Sequence, residues 1–209
     1  MRIAHGMGAQ IIVRPWQGFV EARSYALGLV QTPLALFLDA DEVLDATLCA
    51  AILAAEPPPS LAAYRMLRIN RFCGKPIRGA GWYPEYLTRL FRPARVRIEA
   101  HPATGSGAAL HERIVADGPV ADLPGAIVHD SYPSIASYWR KFDHYTTIEA
   151  AALETSPRLV ARAALIAVLR FGWLLFGRRA ILDGWRGLVV AFGSALYPLA
   201  AHWKALRHA

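Results

Sequence analysis

The sequence predicts an α/β domain followed by a C-terminal helical region. An apolar run at residues 34–38 is typical of a buried strand, and the acids that follow it are typical of the ligand-binding edge of an α/β sheet. Strand-like and helix-like segments continue to residue 133, whereas residues 134–209 carry only long helical patterns. We therefore expect an α/β domain at 1–133 and a helical region at 134–209.

The first 60 residues alternate between predicted strands and helices. The strands are expected at residues 9–13 and 34–38, and the helices at residues 19–30 and 46–55. Three consecutive prolines, at 57–59, end the second helix, because proline lacks a backbone donor and disfavours helix in the preceding residue.

The remainder of the chain changes from short strands to long helices. Strands are predicted at residues 63–70, 88–91 and 125–129, around a glycine-rich loop at 105–107. Three helices follow, at residues 137–152, 157–176 and 183–206.

The helix predicted at residues 157–176 has the pattern of an amphipathic helix on a membrane surface. Arg162 and Arg170 interrupt its apolar sequence, and a central arginine costs roughly 2.5–3.5 kcal/mol on insertion scales. With Arg158 they fall within about 120° of a helical wheel, which leaves a broad apolar face. Two core helices of a soluble bundle, or a transmembrane hairpin, are the alternatives.

Composition supports contact with a membrane. The net charge is +7 and 55% of the residues are hydrophobic, a combination familiar from proteins that rest on anionic membranes. The positive charge could also serve a nucleic acid or a pyrophosphate substrate. Cys49 and Cys73 form neither a disulfide framework nor a CxxC pair, which suits a reducing cytoplasm, and residues 1–18 predict no signal peptide.

Asp39, Asp41 and Glu42 form the first candidate site. Ionised carboxylates this close repel one another, and a divalent cation that prefers oxygen ligands, Mg²⁺ or Mn²⁺, would offset the repulsion. Alternatively, the acids form the N-cap and first turn of the following helix. These residues alone leave both interpretations open.

The loop GWYPE supplies the second candidate site. Trp82 and Tyr83 lie beside Glu85, and aromatic rings next to an acid are a common sugar-binding surface. Arg89 and Arg92 follow, and a guanidinium matches phosphate oxygens with two parallel hydrogen bonds. Either arginine could equally be a solvated surface charge.

Two histidines are further candidates. His111 and Glu112 are adjacent, so they could act as a general base with its partner, or as a metal ligand with its orienting group. His129 follows an apolar run and could complete a metal shell begun by Asp41, or could cap the turn after it.

In the order of these motifs, the chain resembles the bacterial family-2 glycosyltransferases, in particular the branch related to lipopolysaccharide core-biosynthesis transferases. The resemblance covers nearly the whole chain, and it implies a GT-A fold, a Rossmann-like mixed sheet, in residues 1–133. The matching stretches are WQGF, ARSYAL, LALFLDADE, GWYPE, TRLFR, LHER, IVHDSYPS, YWRKF and ILDGWRGLV.

The resemblance implies roles for the donor-site residues. In this family DxD-type acids, here Asp39 and Asp41, hold Mg²⁺ or Mn²⁺ against the diphosphate of a nucleotide-sugar donor. His129 would complete the metal shell, and Arg89 or Arg92 would lie near phosphate.

It also implies an inverting transfer to a lipid-linked or polysaccharide acceptor. Glu112 is the first candidate for the base that takes the acceptor's proton, and Glu85 is the second. Trp82 and Tyr83 would shape the acceptor or sugar pocket. The expected location is the cytoplasmic face of the bacterial inner membrane, and nucleic acid is not an expected partner.

The N-terminal end departs from the family pattern. Family members normally begin with two strands that bind the nucleotide base, and residues 1–9 resemble the helix and turn that come next. Ser24 stands where the family usually has asparagine. We therefore expect a sheet that lacks its first strands, in either a truncated gene product or a degenerate relative.

Two other classes of function remain open. One is a metal-dependent phosphohydrolase or nuclease. The other is a non-catalytic, membrane-bound partner protein whose helical region is the working part. The hydrolase would use Asp39, Asp41, His111, Glu112 and His129.

Overall fold

A computed structural model describes residues 2–100 and 112–208 of the chain. A curled, mixed sheet of six strands forms its centre, a two-stranded ribbon lies beside the sheet, and long helices follow at the C-terminal end. The prediction of an α/β fold with C-terminal helices is confirmed at this level.

The elements are given in chain order. The helices are α1 Arg2–Gly6, α2 Phe19–Gly28, α3 Ala46–Leu53, α4 Ile135–Ala152, α5 Pro157–Gly172 and α6 Gly184–His208. A π-helical turn at Trp173–Gly177 and a 3₁₀ turn at Ala180–Asp183 join α5 to α6. The strands are β1 Ala35–Leu36, β2 Glu42–Leu44, β3 Ala63–Phe72, β4 Lys75–Pro76, β5 Glu85–Phe91, β6 Val96–Ala100, β7 Glu112–Ala116 and β8 Val120–Tyr132.

The sheet has the strand order β1-β5-β3-β8-β2, with β4 paired to the end of β3. The central pair β3 and β8 is parallel, and the other pairs are antiparallel. The register places Asn70 of β3 opposite His129 of β8, and His129 opposite Glu42 of β2. Three polar side chains from distant parts of the sequence therefore lie side by side.

Helix α3 covers one part of the sheet. Leu48 of α3 is buried with Met66, Leu90 and Ile127, and full burial of each such side chain is worth about 1.5–3 kcal/mol. A Cβ on Gly125 would lie 2.3 Å from the backbone nitrogen of Leu48, so glycine there lets the helix approach β8.

A second core joins the sheet to the C-terminal helices. Phe72 and Ile77, from the end of β3 and the segment after it, are buried against Tyr138, Leu174 and Val190. The helices therefore pack against the end of the sheet where β3 and β8 finish.

Several elements differ from the expectations. The strand predicted at residues 9–13 is irregular chain, and its Val13 is 74% exposed, because this segment pairs with no strand of the described sheet. Strands β2, β4, β6 and β7 were not predicted. The glycine-rich loop at 105–107 and His111 lie outside the described residues.

Candidate active site

The acids of DADE lie in a tight turn between two strands. The backbone N–H of Glu42 donates to the carbonyl of Asp39, and the N–H of Asp39 donates to the Glu42 carboxylate, both at 3.0 Å. Helix α3 begins after this turn and is capped by Asp45, whose carboxylate accepts from the N–H of Leu48 at 2.7 Å. The interpretation of DADE as a helix cap is therefore wrong.

Arginines surround two of these acids. Asp39 pairs with Arg23 of α2 and, at 2.7 Å, with Arg89 of β5. The Glu42 side chain is fully buried and pairs with Arg89 at 2.9 Å and with Arg68 at 3.4 Å. Burial favours a raised pKa for Asp39, but Arg89 and Arg23 outweigh it and hold the pKa below its ordinary value.

Glu85 is held just as tightly. Both of its oxygens accept from Arg68, at 2.8 and 2.9 Å, and Asn70 donates a third hydrogen bond at 2.7 Å. Burial opposes ionisation of Glu85, yet the bonds from Arg68 and Asn70 lower its pKa overall. The glutamate is therefore a stable anion and a weak base.

His129 connects Asn70 to Asp41. Its Nδ1 lies 2.8 Å from the Asn70 amide oxygen, and its Nε2 lies 3.2 Å from Asp41 Oδ2. The Asn70 amide nitrogen is engaged with Glu85, so the amide oxygen accepts and His129 donates from Nδ1. The other ring nitrogen, Nε2, faces the Asp41 carboxylate.

Glu112 joins the same set of charges from the ribbon strand β7. Its carboxylate lies 2.5 Å from Arg23 Nε, and Arg23 also binds Asp39. We call the connected set the polar network. Its members are Arg23, Asp39, Asp41, Glu42, Arg68, Asn70, Glu85, Arg89, Glu112 and His129.

The network brings most of the predicted site residues together and adds others that sequence reasoning missed. The predicted members are Asp39, Asp41, Glu42, Glu85, Arg89, Glu112 and His129. Arg23, Arg68 and Asn70 were missed. A clue existed for Arg68 and Asn70, since both are polar residues in an otherwise half-buried strand.

The remaining predicted residues lie elsewhere. Arg92 donates to the carbonyls of Leu61 and Pro57, at 3.1 and 2.9 Å, and so holds the loop after α3. Arg89 is buried and binds the carboxylates of Asp39 and Glu42, so a phosphate could reach it only if they moved. A role for either arginine in phosphate binding stays a prediction.

Trp82 lines an aromatic cavity between the GWYPE loop and the C-terminal helices. The cavity measures about 280 Å³, and the Trp82 and Tyr132 rings lie 5.7 Å apart beside it. Tyr83 faces away toward Arg78, whose guanidinium carbon lies 5.9 Å from its ring. The cavity's lining includes Trp82, Tyr132, Tyr138, Phe142, Tyr197 and Arg170.

The turn before α6 fixes the start of the GWYPE loop. The Asp183 carboxylate accepts from the backbone N–H groups of Arg78 and Gly79, at 3.1 and 2.6 Å. A Cβ on Gly187 would lie 1.8 Å from the Ala180 carbonyl oxygen, so the packing requires glycine there. The DGWRG sequence thus couples the helices to the loop that carries Trp82 and Glu85.

The residues predicted to bind metal are only partly assembled. Within residues 2–100 and 112–208, no three His, Cys, Asp or Glu side chains form a cluster that could hold a metal ion. Both carboxylate oxygens of Asp39 pair with arginines. Asp41, in contrast, is half exposed and lies next to Nε2 of His129. An exposed carboxylate oxygen and a ring nitrogen fit part of a divalent-cation shell.

No protein-family model matches the chain. The resemblance to family-2 glycosyltransferases therefore depends on the motifs themselves, and the activity it implies is a proposal.

Proposed function

We propose that this chain is an inverting, metal-dependent glycosyltransferase. It moves a sugar from a nucleotide-sugar donor to a lipid-linked or lipopolysaccharide-type acceptor. The observation that carries the proposal is the polar network, because motifs far apart in the sequence supply neighbouring acids and a histidine at one end of a sheet. The motif order and the adjacent aromatic cavity support the same reading.

Asp41 and His129 would hold Mg²⁺ or Mn²⁺, with Asp39 as the predicted third ligand once it is released from an arginine. When bound, the cation would neutralise charge on the donor's diphosphate. In the structure, Asp39 pairs with both Arg23 and Arg89 at the turn. The turn and the histidine thus form the donor side of the proposed site.

Glu112 is the better candidate for the base. The acceptor hydroxyl gives its proton to the carboxylate and bonds to the anomeric carbon, as the bond from that carbon to the diphosphate breaks and the nucleoside diphosphate leaves. Glu85 has a lowered pKa and both of its oxygens accept from Arg68, which makes it a weak base, whereas among the described residues Glu112 pairs with Arg23 through one oxygen, Oε1.

The acceptor would be presented at a membrane surface. One helix of the described chain, Pro157–Gly177 with its π turn included, is apolar enough to associate with a membrane. Only 11% of its most apolar 18-residue stretch is buried in the fold. Arginines near this apolar surface favour anionic headgroups. The cytoplasmic face of the bacterial inner membrane supplies both anionic lipid and nucleotide-sugars.

The base assignment gives a direct test of the function. The full chain is incubated with bacterial membranes, Mn²⁺ and a panel of labelled nucleotide-sugars, and transfer to lipid is measured. Glu112→Gln should lower kcat by about 10²- to 10⁴-fold while binding of the donor is retained. Glu99→Gln, on the facing ribbon strand, is the matched control and should stay near the unaltered rate. Absence of transfer with every donor would contradict the proposal.

A further inference from the structure

The aromatic cavity has the features of a ligand site that the polar network does not use. Its volume, about 280 Å³, is near the lower end of the range for small-molecule sites and suits a single sugar ring rather than a long chain. Tyr132 and Tyr138 are packed edge to face, with ring centres 4.9 Å apart, so the wall is fixed by its own contacts.

The position of the cavity links it to the proposed chemistry. Trp82 lies three residues before Glu85, and Tyr132 lies three residues after His129 on the same strand. The neighbouring Ser131 hydroxyl contacts the ring of His129 at 2.9 Å. Strand β8 therefore runs from the end of the network that includes Asp41 to the wall of the cavity.

The charge of the lining selects the kind of ligand. Of the lining residues in the part of the chain that the structure describes, Arg170 is the charged one, and its side chain is exposed at the end of α5. Tyrosine and tryptophan faces stack on the apolar face of a sugar, and a guanidinium binds phosphate. Leu169 and Trp173, on either side of Arg170, are 65% and 56% exposed, so the opening adjoins the apolar surface.

We infer that this cavity binds a phosphorylated sugar, the headgroup of a membrane-anchored acceptor, with its ring on Trp82 and Tyr132 and its phosphate at Arg170. This assignment of the acceptor rests on the proposed glycosyl transfer. Arg170 discriminates between phosphorylated and neutral sugars, and the aromatic wall binds the ring of either.

Calorimetric titration of the full chain tests the site without any transfer reaction. Glucose 1-phosphate, methyl glucoside and inorganic phosphate are titrated in the presence of EDTA and without a nucleotide-sugar. Glucose 1-phosphate should bind about 10- to 100-fold more tightly than methyl glucoside, as a charge-assisted hydrogen bond implies. Equal affinities for the two sugars would overturn the assignment.

Two sets of variants test the contact with the sugar ring and the contact with the phosphate separately. Arg170→Gln should reduce the affinity for glucose 1-phosphate to that of methyl glucoside, whereas Arg162→Gln, two turns earlier on α5, should change neither. Trp82→Ala should weaken the binding of both sugars about tenfold. Trp82→Phe, which keeps an aromatic ring, should recover most of the lost affinity. Equal effects of Arg170→Gln and Arg162→Gln would contradict the role of Arg170.

A lipid comparison identifies the source of the sugar phosphate. Phosphatidylcholine vesicles with a polyprenyl-phosphate hexose should bind the chain at least tenfold more tightly than the same vesicles without it, and Arg170→Gln should remove the difference. Equal binding to both vesicles would overturn the lipid-linked assignment. Asp41→Ala should retain glucose 1-phosphate binding, so a failure of the transferase proposal is distinguishable from a failure of this site.

Discussion

The polar network and the C-terminal helices depart from ordinary burial in opposite directions. In the network the charged Glu42 and Arg89 are buried, whereas in the helical region Leu182 is 77% exposed and Phe176 is 67% exposed. Buried charges require partners, and the network supplies them within the chain. The exposed apolar side chains form a surface that the proposed membrane contact would cover.

The network balances its charges within the chain, whereas the apolar surface of the helices is left exposed. Each arginine of the polar network faces carboxylates at hydrogen-bonding distance, so removal of one member leaves the others unbalanced. On the helices, a change of one exposed side chain should alter the proposed membrane binding far more than folding.

The largest expected effect is at the most buried charge. Glu42→Gln removes the anion that faces Arg89 and Arg68, and should lower the free energy of unfolding by about 3 kcal/mol. Urea titration followed by circular dichroism measures it. Asp122→Asn, in an exposed pair with Arg65, is the control and should leave the free energy of unfolding nearly unchanged. Equal losses would remove the distinction between buried and exposed charges.

The junction between the two regions should be the next most sensitive place. Gly187→Ala would drive a Cβ into the carbonyl oxygen of Ala180 and should cost about 1–3 kcal/mol. Gly172→Ala, where nothing lies within 4 Å, should be neutral or slightly stabilising because alanine favours a helix. Thermal unfolding of both variants measures the difference, and a neutral Gly187→Ala would refute the close packing.

Substitutions on the exposed apolar surface of the C-terminal helices should change vesicle binding rather than stability. Leu169→Glu should lower affinity for phosphatidylglycerol vesicles about tenfold or more, since it replaces apolar contact with charge. Leu53→Glu, at an 88% exposed leucine of α3, should leave binding within about twofold. Cosedimentation measures both. Equal losses would show that net charge alone governs attachment.

The smallest effect concerns pH. Asp39 and Glu85 have pKa values below their ordinary 3.8 and 4.5, so they contribute stability above those values that is lost as pH falls through the folded pKa. The urea midpoint should therefore decline between about pH 5 and pH 3. Asp39→Asn should flatten that decline. A midpoint that rises on acidification would contradict the sign.

Strong local patterns made several elements predictable. Helices α3 to α6 have serine, aspartate or proline at or just before their starts, and helices α2 to α6 all fall close to the predicted ranges. Strands β2, β4, β6 and β7 are short or polar, so their partners rather than their own sequences determine them. The apolar residues at 9–13 have the sequence of a strand without a partner.

The candidate site likewise contains residues that the sequence could predict and residues that it could not. Asp39 and Asp41 were recognisable because acids directly after an apolar run are unusual, and His129 for a similar reason. Arg23 is a single charge on a helix and carries no local signal. Its role depends on Asp39 and Glu112, which lie 16 and 89 positions away in the sequence. Such pairings follow from the packing of α2 against the ribbon and the DADE turn, which one sequence does not reveal.

In the proposed function, Asp41 serves sugar transfer rather than folding. The decisive measurement is transfer from the active nucleotide-sugar to membrane lipid with Mn²⁺, for Asp41→Ala and Asp122→Ala. Asp41→Ala should lower the rate at least about 100-fold with an unchanged urea midpoint, whereas Asp122→Ala should retain it. An unchanged rate in Asp41→Ala, or equal losses in both variants, would contradict the claim.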